Sequence, residues 1–318
     1  VVQRLTSLAT TASFGLLAPK MSPSEMTGPM RVAYGPLAGA VALQRPLVMV
    51  PGFAMEASSF GRLAEHLATN PKNCNPAVFV AGENKFRDGT ATGPVLSPAE
   101  VRKRKIFMVQ YADPFEGPTP KVWQLAQALR ALRSATRAPN FDAVSHSEGR
   151  VDLGLYLELQ RVSPTTLPMI NNWAMIGPPT QGTVLANIGS ALFTNPKAAS
   201  AAAELAVGSE TIRRVFDRWP EHRSRIPGMV KVISMTGVPT LTTGGWFGLT
   251  FEPGDGFMAA ATVGLEGAKT VLLPSPHALW AHVWEPQYSG VINEVMSTVK
   301  KKGSSGISVG RRGETEHG

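Results

Sequence analysis

The stretch FDAVSHSEGRVDLGLYLELQ, residues 141 to 160, changes character in its middle. FDAVS at its start is a short strand-like run, and DLGLYLELQ at its end carries apolar residues at helical spacing. Between them, Ser145-His146-Ser147-Glu148-Gly149 leaves room only for a sharp turn. A strand that enters a helix through such a turn exposes the central hydroxyl, provided that small residues stand two before and two after it. Gly149 meets that need fully and Ser145 less well. The following helix aims backbone N–H groups at the space where negative charge develops in acyl transfer. Ser147 is therefore the candidate nucleophile. An ordinary polar turn would fit the same five letters, and the flanking strand and helix are what favour the chemical reading.

Outward from this turn, strand and helix signals alternate, as a mostly parallel sheet covered by helices requires. PLVMV at 46–50 is a short apolar run ending at Pro51-Gly52, and helical spacing follows from Ser58 to Leu67. AVFVA at 77–81 and KIFMVQY at 105–111 read as strands, separated by a polar surface loop containing Gly and Pro. VWQLAQALRALRSAT at 122–136 is the clearest amphipathic helix. NWAMI at 172–176, MVKVISMTG at 229–237 and KTVLLP at 269–274 continue the strand series, and Ser289 to Lys300 closes it with a helix. From about Asn187 to Arg225 the chain is Ala-rich and helical without a strand, which predicts a cap or lid over about 187–228. The expected organisation is an extension over 1–30, one α/β domain over 31–300 and a disordered basic tail over 301–318.

With 318 residues, 43% of them hydrophobic and 17% charged, the chain can bury a large core. No run approaches the 18 or so apolar residues of a membrane-spanning helix, and a soluble protein is expected. The net charge of +8 invites a nucleic-acid reading, but the distribution of the charges argues against it. Lys300, Lys301, Lys302, Arg311 and Arg312 lie in the tail, and Arg102-Lys103-Arg104-Lys105 stands before an apolar run as a solvated strand entry. Neither group is interleaved with the aromatic residues that stack on bases. The basic excess allows a weak association with lipid surfaces. A single cysteine, Cys74, excludes an intramolecular disulfide, and no Cys/His spacing resembles a metal site. LTSLATTASFGLLA at 5–18 fits either the remnant of a secretory signal or a surface helix, so the compartment stays open with a lean towards secreted or periplasmic.

A serine hydroxyl needs a base, normally a histidine oriented by a carboxylate. Of six histidines, His66 falls on an early helix, His146 inside the turn, His222 in the cap and His317 in the tail. His277 and His282 remain, both after the last strand. His282 is preferred because HVWEPQYSGV leads directly into the closing helix, and His277 stays as the alternative base. Where the nucleophile sits on such a turn, the order along the chain is Ser, then Asp or Glu, then His. Asp255 in Pro253-Gly254-Asp255-Gly256-Phe257 fits that order after a Gly-rich loop, with Glu252 as the competitor and a plain Asp-Gly turn as the structural reading.

These features together resemble the α/β-hydrolase fold, in particular bacterial triacylglycerol lipases and esterases, over roughly residues 46 to 300. VMVPGF at 48–53 is similar to that group's strand ending in His-Gly-apolar, IGPPTQGT at 176–183 to its Thr-Pro-His-x-Gly-Ser segment, and GDGFMAAATV at 254–263 to the segment that carries its acid. The resemblance implies oxyanion N–H donors at Phe53 and Glu148, a lipid-like or other small carboxylic ester as substrate, and no cofactor or metal. Pro51, Ser145, Arg150 and Pro179-Thr180 depart from the group's pattern. Arg150 near a helix start is unfavourable to the helix dipole, and pairing with Glu148, Asp152 or an acidic substrate group is the expected compensation. A polyester hydrolase, an amidase, or a catalytically weakened lipid-binding relative would keep the same scaffold.

Overall fold

The computed structural model describes residues 36–243, 249–275 and 281–300. The expected N-terminal extension, the basic tail and His277 lie outside the described residues. Eight strands form one sheet: β1 (Leu47–Val50), β2 (Ala77–Val80), β3 (Lys85–Asp88), β4 (Ile106–Gln110), β5 (Asn140–His146), β6 (Met169–Ile176), β7 (Val230–Thr236) and β10 (Lys269–Pro274). Their order across the sheet is β10-β7-β6-β5-β1-β4-β2-β3, with every pairing parallel except β2 with β3. A second, two-stranded antiparallel ribbon joins β8 (Val238–Thr243) to β9 (Leu249–Gly254).

Both faces of a parallel sheet are covered, so its central strands read as unbroken apolar runs. In β1, Val48 and Val50 pack into one core and Leu47 and Met49 into the other, as the two-residue period of a strand requires. The first core lies under α3 (Pro118–Thr136) and α4 (Gly149–Val162), whose residues Leu125, Leu129 and Tyr156 enter it. The second lies under α1 (Gly61–Ala68) and the closing helix α10 (Ser289–Lys300), through Leu63, Leu67, Val291 and Val295. Each such side chain contributes about 1.5–3 kcal/mol on leaving water.

Two segments read as loops are structured. The polar stretch after β2 contains β3, an antiparallel edge strand, and the short helix α2 (Pro98–Lys103). Ser97 and Glu100 close a capping box at the start of α2, and Arg104 pairs with Asp88 at 3.0 Å. On either side of residues 244–248, which lie outside the described residues, the stretch before Asp255 forms the β8–β9 ribbon, whose register pairs Leu241 with Phe251 and ends beside Asp255. Propensity missed both because four to six residues of polar or Thr-rich sequence form strands only when a partner strand supplies the pairing.

The region expected as a cap consists of α5 (Val184–Leu192), α6 (Pro196–Leu205), α7 (Glu210–Asp217) and α8 (Trp219–Ser224). α5 and α6 pack on each other and wall a cleft above Ser147. α7 and α8 instead pack on α4, and the Trp219 ring stands 6.1 Å from that of Trp173 in β6.

Candidate active site

Ser147 sits between the end of β5 and the first residue of α4 with φ of +52°. This left-handed conformation costs a non-glycine residue about 1–2 kcal/mol. Tertiary pairing holds it: the Ser147 N–H donates to the Ile176 carbonyl at 2.9 Å, and the Arg150 N–H to the Ser147 carbonyl at 3.1 Å. Gly149 is required by space, since a Cβ there would stand 2.5 Å from the Val50 carbonyl oxygen. Ser145, the less favourable neighbour, is buried with its hydroxyl accepting from Trp173 Nε1 at 2.9 Å. A side chain thus fits where glycine was expected because β6 supplies a partner for it.

Three side chains from distant parts of the sequence meet here. The Ser147 hydroxyl lies 2.9 Å from His282 Nε2, and His282 Nδ1 lies 2.9 Å from Asp255 Oδ2. His282 stands on the short helix α9 (Ala281–Trp284), its own N–H bonded to the Asp255 carbonyl at 3.0 Å. The other carboxylate oxygen of Asp255 accepts the N–H groups of Phe257 and Met258, both at 2.7 Å. Asp255 is fully buried, and Ser147 is half-buried facing the cleft. Glu252, the competing carboxylate, lies on β9, paired with Thr240.

A second carboxylate stands at the same imidazole. Glu285, fully buried and three residues beyond His282, places Oε2 3.3 Å from His282 Nδ1 while its Oε1 accepts the Met235 N–H at 2.6 Å. The sequence reading missed it. The only signal was its spacing from His282, which brings two side chains to one face of a helical turn. Gly177, with φ of +49°, makes the room: a Cβ there would stand 2.7 Å from His282 Nδ1 and collide with Glu285 Oε2.

His146, set aside on sequence, also supports the imidazole. Its ring lies 4.7 Å from that of His282, and its Nε2 is 2.9 Å from the His282 carbonyl. A carbonyl can only accept, so Nε2 carries the proton in this contact. Burial holds His146 well below the usual histidine range, which keeps it neutral.

The charge state of His282 follows from opposing effects. Burial disfavours the imidazolium, but the carboxylates of Asp255 and then Glu285 outweigh it and raise its pKa to about 10. Burial and the nearby Asp255 charge raise Glu285 in turn. Because a base must have Nε2 unprotonated, a raised pKa means activity that grows with pH. We expect kcat/KM on a p-nitrophenyl ester to keep rising above about pH 8, and Glu285→Gln to move that limb down by about one unit. A pH–rate profile that levels off at neutral pH in both proteins would contradict the assignment.

Phe53 lines the cleft beside Ser147, and Glu148 follows it directly. Among the described residues, neither the Phe53 nor the Glu148 backbone N–H is engaged by another group. Arg150 corrects an expectation: it pairs with neither Glu148 nor Asp152 and does not line the cleft. It is fully buried, 5.8 Å over the Trp219 ring, and burial lowers its pKa to about 10. The partners expected of it belong to others, Lys121 for Glu148 and Tyr111 for Asp152. The cleft has a volume of about 310 Å³, and its lining is almost wholly apolar, with Leu185, Ile188, Phe193, Leu205 and Met258 alongside Ser147 and His282.

The strand order, the left-handed serine at the β5–α4 turn and the helices on both sheet faces define the α/β-hydrolase fold. Solved structures with this similarity include a gene product of Listeria innocua, which aligns over 82% of this chain and 96% of its own at 16% identity, with a TM-score of 0.55. Phospholipase PlaB from Legionella pneumophila, in complex with thio-NAD, aligns over 80% of this chain and 62% of its own at 14% identity and a TM-score of 0.51. The mature lipase BlEst2 of Bacillus licheniformis aligns over 84% and 94% at 16% identity, with a TM-score of 0.47. No family model matches the chain, and no curated protein matches it in sequence.

Proposed function

We propose that this protein is a serine hydrolase that cleaves carboxylic esters with an apolar acyl group, using Ser147 as nucleophile, His282 as base and Asp255 as the acid that orients it. The observation that carries this reading is the unbroken hydrogen-bonded line from Ser147 through His282 to Asp255 at the base of an apolar cleft. His282 Nε2 takes the Ser147 proton as Oγ attacks the ester carbonyl. The oxyanion is held by the N–H groups of Phe53 and Glu148. The same proton passes to the departing alkoxide, leaving an acyl-enzyme and an alcohol. Water then attacks the acyl-enzyme with His282 again as base, and Ser147 is released with the carboxylic acid. This chemistry calls on no metal or organic cofactor.

The lining of the cleft favours a hydrocarbon chain over a polar acyl group. Each buried methylene contributes about 0.8 kcal/mol, about fourfold in affinity. We expect kcat/KM for p-nitrophenyl esters to climb with acyl length until the cleft is full. Ile188→Trp, at the half-open wall of the cleft, should cost the longer esters about tenfold and leave the acetate nearly unchanged. The direct test of the reading is a fluorophosphonate probe. Labelling of the folded protein at Ser147 supports it, and a folded protein that takes no label overturns it.

A further inference from the structure

A fully buried lysine stands behind the elements that would hold the oxyanion. Lys121, in the first turn of α3, is 0% exposed, and its Nζ donates to the Pro114 carbonyl at 2.9 Å and to Glu148 Oε2 at 3.1 Å. The ammonium also lies 5.9 Å over the Phe53 ring and 5.1 Å over that of Tyr111. Tyr111 in turn donates its hydroxyl to Asp152 Oδ2 at 2.6 Å, on the turn of α4 that follows Glu148. One cation therefore touches the loop after β1, the loop after β4 and the start of α4.

The loop after β1 is under strain where this contact reaches it. Ala54, directly after Phe53, has φ of +56°, a conformation that a non-glycine residue keeps only when its surroundings impose it. The group that imposes it is the Pro114 carbonyl, which accepts the Ala54 N–H at 2.9 Å as well as the lysine ammonium. Lys121 thus anchors the carbonyl that pins the Phe53–Ala54 turn, and with the same atom it holds the side chain of Glu148. Burying an ion pair costs several kcal/mol per ion, and apolar residues of similar volume often stabilise a fold as well or better. A structural need alone is therefore a poor reason for a lysine here.

We propose that Lys121 is a positioning residue of the oxyanion site: its buried ammonium fixes the separation of the Phe53 and Glu148 backbone N–H groups by tying the Pro114–Ala54 contact to the Glu148 side chain. This rests on the hydrolase reading above. It deepens that reading by assigning a residue that touches neither substrate nor nucleophile. Burial raises the Glu148 carboxyl, and Lys121 opposes that rise, as a close pair requires.

The test compares Lys121→Met with the pair Lys121→Met/Glu148→Gln, which also removes the carboxylate left without a counter-charge. If Lys121 positions the donors, the double variant recovers the thermal stability that the single variant loses but stays slow. Its kcat on a p-nitrophenyl ester falls by about 10²-fold, the size of one lost oxyanion donor, with KM within about threefold of wild type. Affinity for an alkylboronic acid, whose tetrahedral adduct mimics the oxyanion, falls in parallel with kcat. A double variant that is folded and turns over at the wild-type rate overturns the proposal, as does a loss of kcat that only tracks the folded fraction. Should neither variant fold, Lys121→Arg retains the charge while shifting both contacts, and it must show the same split between kcat and KM. Fluorophosphonate labelling of the wild type is read separately. Its absence would defeat the hydrolase reading itself, whereas labelling with an unaffected double variant would defeat only the role of Lys121.

Discussion

Ser147→Ala is expected to abolish ester turnover, with a fall in kcat on the order of 10⁶-fold, equivalent to about 8 kcal/mol of transition-state stabilisation. The physical basis is that, among the described residues, no other hydroxyl stands against His282 Nε2. The oxygen is held 2.9 Å from His282 Nε2 on a backbone whose left-handed φ is held by the Ile176 carbonyl. Alanine suits that backbone no worse than serine, so the variant should fold with a melting temperature close to that of wild type. Turnover on p-nitrophenyl butyrate and covalent labelling by a fluorophosphonate should vanish together. Labelling that persists in Ser147→Ala would place the nucleophile elsewhere.

His282→Ala should fall nearly as far, because nucleophile and base act as a unit and removing either costs about as much as removing both. His282 combines the contacts a base needs: Nε2 against the serine, Nδ1 against Asp255 with Glu285 beside it, and its carbonyl and ring fixed by His146. His277→Ala is the control, and we expect it to keep turnover within about threefold of wild type. Loss of activity in His277→Ala with retention in His282→Ala would reverse the assignment. The imidazole deletion can also be probed in the second half-reaction. Acyl-enzyme formed slowly by His282→Ala should persist, since the water that hydrolyses it needs the same base.

The two carboxylates at His282 show how a residue becomes legible only in context. Asp255 announced itself by a Gly-Asp-Gly string after a strand, in the chain order that such an elbow sets. Glu285 announced nothing beyond its spacing from His282, because a Glu in EPQ before a closing helix is an ordinary surface residue by composition. What buries it is the placement of the segment after α9 beside β7, where one of its oxygens accepts the Met235 N–H. Lys121 is a similar case. In an amphipathic helix rich in basic residues it reads as one more solvated charge, yet it is buried while Trp123, two residues on, is half exposed.

The sequence alone determined the class of fold and singled out Ser147 as the candidate nucleophile. Both depend on local information: apolar runs of strand length, helical spacing after them, and a turn whose small residues and central hydroxyl are contiguous in the chain. The tertiary structure decided what lies around that serine. It set His282 and Asp255 on one line with Ser147, brought Glu285 and His146 against His282, moved Glu148 and Asp152 from Arg150 to Lys121 and Tyr111, and paired β8 with β9 in a ribbon ending beside Asp255. The bonded pairs are up to 136 residues apart in the chain, and their interactions arise only where burial strips water from charges and forces each to find a partner.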